Sequence, residues 1–142
     1  MTCASSPRSS RRRRLLAVAE LAAIGIVTKN MGEAAGFYRL LGLDVPEPDG
    51  AHLEATLPNG LRLMWDTVEL MKKLDPNREE PTGHRIALAF DCGSPAGVNE
   101  THEQIVAAGF RSKDTPYDAF WGQRYATVLD PDDNPVDLFA QL

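Results

Sequence analysis

The chain has 142 residues, of which 43% are hydrophobic and 25% charged, the make-up of one soluble domain and not of two. No stretch approaches the ~20 apolar residues that a membrane-spanning helix requires, and Cys3 and Cys92 have no zinc or CxxC spacing, so neither a disulfide framework nor a zinc knuckle is encoded. Five of the 15 basic residues, Arg8 and Arg11 to Arg14, lie in the first 14 positions, which leaves 10 basic against 20 acidic groups afterwards; a body so charged disfavours nucleic acid and suits solubility or a cationic ligand.

Residues 1–20 read as a flexible Arg/Ser-rich N-terminal extension. The run Arg12-Arg13-Arg14-Leu15-Leu16 resembles an export signal, but the apolar stretch after it is short and Glu20 interrupts it. The expected home is therefore the cytoplasm, with reduced thiols. Ile24 to Val27 then predicts a buried strand. Asn30 offers an N-cap oxygen with Glu33 three residues on, and Ala34, Phe37, Tyr38 and Leu41 share one helical face before Gly42 supplies a left-handed stop. A short connecting strand is expected near Leu43-Asp44-Val45. His52 to Leu57 and Leu61 to Trp65 flank Pro58-Asn59-Gly60, a strong hairpin signal.

The linker from Val68 to Gly83 holds Pro76, Pro81 and many charges, with a helical turn possible around Leu70, Met71 and Leu74. After it the order repeats. Ile86 to Phe90 reads as a strand, Ser94-Pro95 opens a helix that Gly109-Phe110 ends, and a last hairpin runs from Gln123 to Leu129 and back along Val136 to Ala140. The fold class is α+β, with paired βαβββ modules (about 21–67 and 84–142) in one domain, 21–142, whose curved mixed sheets surround a concave site.

At this point the chain resembles the vicinal oxygen chelate superfamily, the glyoxalase/bleomycin-resistance/extradiol-dioxygenase group. The resemblance rests on Gly36-Phe37-Tyr38-Arg39-Leu40-Leu41-Gly42-Leu43, on Trp121-Gly122-Gln123-Arg124-Tyr125, and on Asp130-Pro131-Asp132-Asp133-Asn134-Pro135-Val136-Asp137-Leu138. It implies the fold and leaves the activity open. In metal-dependent members it implies a divalent ion held from the first strand and hairpin of each module. Here those positions fall on Ala23, Glu54, Arg85 and Asp137, with His84 displaced by one residue from the usual histidine. Alanine has no donor atom and a guanidinium no free lone pair, whereas a catalytic ion takes about three protein ligands.

No metal or other cofactor is therefore expected, and the alternative is a divalent ion on Glu54, His84 and Asp137. The expected ligand-binding residues are Glu54, Arg85, Asp137, His52, Trp121, Trp65 and Tyr125, with the three charges clustered and the aromatic rings at the pocket wall. For Glu54, Arg85 and Asp137 a structural ion cluster is an equal alternative. His52 also reads as an ordinary part-exposed histidine, and Trp121, in a loop from Pro116 to Gly122, as core packing. His102-Glu103 lacks the second histidine of a zincin and reads as solvent-exposed. No catalytic residue stands out. The expected function is metal-independent binding of a small molecule, including ligand or drug sequestration, by a protein similar to bleomycin-resistance proteins. The alternative is a metal-dependent lyase, isomerase or dioxygenase. The resemblance further implies a homodimer, and no membrane or nucleic-acid partner is expected.

Overall fold

Leu53 and Ala55, Leu63 and Trp65, and Val136, Leu138 and Ala140 occupy alternate strand positions and are all buried, so each sheet turns one face to a core and the other outward. The computed structural model describes residues 19–84 and 86–142. The expected flexible tail, up to residue 18, and the expected site cation Arg85 lie outside the described residues.

The first module contains β1 (Ala23–Thr28), α1 (Met31–Leu40), β2 (His52–Thr56) and β3 (Arg62–Thr67), and the linker contributes α2 (Val68–Leu74). The second contains β4 (Leu88–Asp91), α3 (Pro95–Ala107), β5 (Arg111–Asp118), β6 (Gln123–Leu129) and β7 (Pro135–Gln141). The sheets run β1-β3-β2 and β4-β7-β6-β5. Both are mixed, because β1 joins β3 and β4 joins β7 in parallel while the other neighbours are antiparallel. Among the described residues no helix is long and apolar enough to cross a membrane.

Local chemistry accounts for the helices. Asn30 Oδ1 accepts the Glu33 N–H at 3.0 Å, α1 buries Ala34, Ala35, Phe37 and Tyr38, and Gly42 takes φ 90° just past the end, a conformation that favours glycine. Ser94 Oγ accepts the Gly97 N–H at 3.0 Å, and Pro95 opens α3, where a missing N–H costs nothing.

One expected element is absent. Leu43 to Val45 forms no strand, so the first module is βαββ where the second is βαβββ. The chain folds on itself here instead: the Val45 N–H donates to Leu43 O at 3.0 Å, and Arg39 donates from Nε to Val45 O at 2.9 Å and from Nη2 to Pro46 O at 2.8 Å. Pro46 and Pro48 have no N–H to offer a neighbouring strand. In the second module Pro116 is accommodated in edge strand β5, where the register to β6 shifts between Asp114 and Tyr117.

The modules share one core. Phe37 of α1 meets Phe110 edge-on at 5.2 Å between centroids. The Tyr38 hydroxyl donates to Asp130 Oδ2 at 2.8 Å, and the Lys29 N–H donates to Asp132 Oδ1 at 2.8 Å. Buried Asp130 also accepts from the N–H groups of Asp132 and Asn134 and from Asn134 Nδ2. This carboxylate thus organises the β6–β7 turn and ties it to α1.

Candidate functional site

On the first sheet the outward residues are His52 and Glu54 of β2 and Arg62, Met64 and Asp66 of β3, with Ala23, Gly25 and Val27 of β1 in register beside the last three. His52 Nδ1 lies 2.5 Å from Asp66 Oδ1, and Nε2 lies 2.7 Å from Glu54 Oε2. Both partners are acceptors, so both ring nitrogens donate, which only the imidazolium can do. Asp66 first and then Glu54 hold the His52 pKa above its ordinary value. Arg62 Nη1 completes the row at 3.0 Å from Glu54 Oε1, and the bond from His52, aided by Arg62, keeps Glu54 below the usual carboxylate range.

On the second sheet Asp137 of β7 lies opposite Thr127, and Phe139 opposite Tyr125. Both Asp137 oxygens are engaged: Tyr125 OH donates to Oδ2 at 2.7 Å, and Thr127 Oγ1 donates to Oδ1 at 2.8 Å. Burial, reinforced by Asp137, pushes the Tyr125 phenol up to about 12. Around Tyr125 the rings of Tyr117 and Trp121 stand steeply inclined to it, at 6.3 and 5.3 Å between centroids. Phe120 meets Trp121 edge-on at 5.1 Å. The cluster is open to solvent: Phe120 is 96% and Trp121 48% exposed. The Trp121 indole N–H donates to Gln123 Oε1 at 2.8 Å.

The sequence-predicted residues therefore fall into separate groups. Glu54 and His52 share one network, and Asp137, Tyr125 and Trp121 share another on the other sheet. Trp65 corrects an expectation: it is 0% exposed, packs on Tyr38 at 5.2 Å, and does not reach a pocket wall. Its partner across the ladder is Leu53, which places both on the buried face. His84 lines a different cleft, with Arg78 and Asp132. Among the described residues no three His, Cys, Asp or Glu side chains are grouped to hold a metal ion; the two carboxylates on His52 sit at opposite ring nitrogens and cannot converge. His102, expected to be solvent-exposed, is half-buried instead and pairs with Ser112 Oγ at 2.7 Å. Sequence reasoning passed over Asp66, Tyr117 and Thr127. The period of two was the available signal, since Asp66 follows Arg62 and Met64 on one face and Thr127 follows Tyr125.

A family profile described as the Glyoxalase/Bleomycin resistance protein/Dioxygenase superfamily matches residues 20–138. The chain belongs to this superfamily. The superfamily fold recurs in solved structures. A glyoxalase/bleomycin resistance protein/dioxygenase family enzyme from Burkholderia phytofirmans PsJN is similar with a TM-score of 0.73 and 22% identity, over 87% of this chain and 100% of that one. A glyoxalase-related enzyme from Fulvimarina pelagi gives 0.77 and 19%, over 87% and 89%. Lactoylglutathione lyase from Agrobacterium tumefaciens gives 0.63 and 15%, over 87% and 94%. At these identities the likeness is one of fold. Among curated proteins none matches the chain.

Proposed function

We propose that the protein is a small-molecule-binding member of the superfamily that works without a resident metal and sequesters its ligand on the outward faces of the sheets. One observation carries this reading: at the positions where the family would place ligands, the carboxylate oxygens already have partners. Glu54 is held by His52 and Arg62, and Asp137 by Tyr125 and Thr127. Ala23 supplies no donor atom, and the guanidinium of Arg85 stays protonated. An ion would compete with these partners for the carboxylate lone pairs and would still lack a third protein ligand. The donor set does not fit a divalent ion.

What the second sheet offers is aromatic surface above a carboxylate. Tyr117, Phe120, Trp121 and Tyr125 present ring faces and edges, and Asp137 and the acidic body favour positive charge. A planar or cationic molecule suits this surface through stacking and cation–π attraction. A homodimer, which the resemblance implies, and a cytoplasmic home belong to the same proposal.

Tryptophan fluorescence tests it, because Trp65 is buried and Trp121 exposed. Titration with metal-free bleomycin and with a planar cationic dye should quench the exposed emission to saturation, with no effect of EDTA. Trp121→Ala, with binding read by calorimetry because the exposed emission is gone, should weaken binding about five- to thirtyfold, the size of a cation–π contact of about 1–2 kcal/mol. Absence of binding to either probe, or binding abolished by the chelator, would overturn the proposal.

A further inference from the structure

Across the second sheet Tyr117 of β5 stands opposite Tyr125 of β6. The next pair along the ladder, Asp118 and Arg124, points to the other face, where Arg124 also bonds Asn99 of α3. The outward face therefore carries the two rings without the guanidinium. Trp121, in the turn between these strands, makes a third. The ring centroids lie 5.3 Å apart for Trp121 and Tyr125, 6.3 Å for Tyr117 and Tyr125, and 6.5 Å for Tyr117 and Trp121, and the planes are inclined at 79°, 64° and 90° in the same order. Tyr117 is 41% and Trp121 48% exposed, so a solute can reach the set.

No two of the three rings are parallel, so no pair of them makes a slot for a flat molecule. Steep mutual angles at such spacings are those of three walls meeting in a corner. A point equally far from three perpendicular walls so spaced lies roughly 4–5 Å from each ring centre, inside the ~6 Å over which a ring face attracts a cation. The corner also has a negative backing. The Tyr125 hydroxyl donates to Asp137 Oδ2 at 2.7 Å, and the carboxylate polarises the phenol towards its ring.

The lining also selects among cations. An ammonium that carries N–H groups leaves behind water hydrogen bonds that ring faces replace poorly, whereas a fully methylated nitrogen has no N–H to satisfy. We infer that Tyr117, Trp121 and Tyr125 form a three-walled cage for a quaternary ammonium head of the trimethylammonium class. The inference rests on the reading of this surface as a cation site, and it narrows the ligand from planar or cationic molecules to a compact, methylated one.

The test is a calorimetric and saturation-transfer NMR titration of the full chain with choline. Ethanolamine serves as the analogue that keeps the N–H groups, and the carbon isostere of choline, with tert-butyl in place of trimethylammonium, as the one that keeps the shape without the charge. Choline should bind with a Kd in the millimolar range or tighter, with saturation strongest at its N-methyl protons, and each analogue at least tenfold more weakly. Tyr117→Leu and Trp121→Leu, both at exposed positions, should each weaken choline binding at least fivefold, and Trp121→Phe should bind it more tightly than Trp121→Leu does. No choline binding across the millimolar range would overturn the inference. So would either analogue binding as tightly as choline, or choline binding that both leucine variants leave unchanged. The planar cationic dye separates the two levels: dye bound without choline removes the cage and leaves the cation surface standing, and failure of both removes the surface reading as well.

Discussion

Replacing Asp66 by Asn removes the stronger of the two contacts that hold His52 as an imidazolium, and the His52 pKa should fall towards the ordinary value of about 6.5. NMR titration of the ring protons reads this directly. The folded pKa lies above the unfolded one, so the stability it contributes is fully present below about pH 6.5 and is lost as pH rises through the folded value. The urea midpoint should decline over that window in the native chain and stay flatter in Asp66→Asn. Glu54 acts in the opposite sense. Its folded pKa is depressed from 4.5, so its contribution is present above that value and is lost as pH falls through the folded pKa. A second residue-scale prediction concerns the join between modules. Burial raises the Tyr38 pKa, so the phenol stays protonated and donates to Asp130. Tyr38→Phe should cost about 1.5–3 kcal/mol, the worth of a hydrogen bond to a charged group. Asp130→Ala should cost more, because it also strands two backbone N–H groups of the turn. Urea unfolding of both variants checks the order.

At the scale of elements, α3 is seated on the end of β4 with no room to spare. A Cβ added at Gly97 would lie 2.2 Å from the Cys92 carbonyl oxygen, which is backbone and cannot rotate away. Gly97→Ala should therefore destabilise by about 1–3 kcal/mol, the usual cost of overpacking, although alanine is the better helix former. Ser94→Ala should cost about 1 kcal/mol through the lost cap. Thermal or urea unfolding would show whether the glycine change is the larger. These helix ends are legible in the sequence because their signals are local: Asn30 with Glu33, Ser94 with Pro95, Gly42 past the stop. The missing strand at Leu43 to Val45 is not local in that sense. It depends on the Arg39 guanidinium reaching forward to the carbonyls of Val45 and Pro46, and six or seven residues of separation hide that contact from strand propensity.

For the whole molecule, the repeated order of strand, helix and hairpin indicated two modules, and the motifs at Gly36 to Leu43, Trp121 to Tyr125 and Asp130 to Leu138 carried the resemblance to the superfamily. The face of each strand was legible too where alternation was followed through. Counting by two puts His52, Glu54 and Thr56 on one face of β2 and Arg62 and Met64 on the same face of β3, as the register has them, and the same counting puts Trp65 on the opposite face with Leu63. What the sequence does not carry is which outward charges meet across sheets. Glu54 lies on β2 and Asp137 on β7, the counterpart of β3, and each closes its own network with near neighbours on its own sheet. That local closure underlies the claim that the site works without an ion. Elemental analysis of freshly purified, unchelated protein tests it most directly. The account predicts far less than stoichiometric zinc, nickel, manganese or iron, with ligand binding unchanged by Glu54→Ala-dependent metal loss because there is none to lose. A stoichiometric divalent metal that disappears in Glu54→Ala or Asp137→Ala would contradict it.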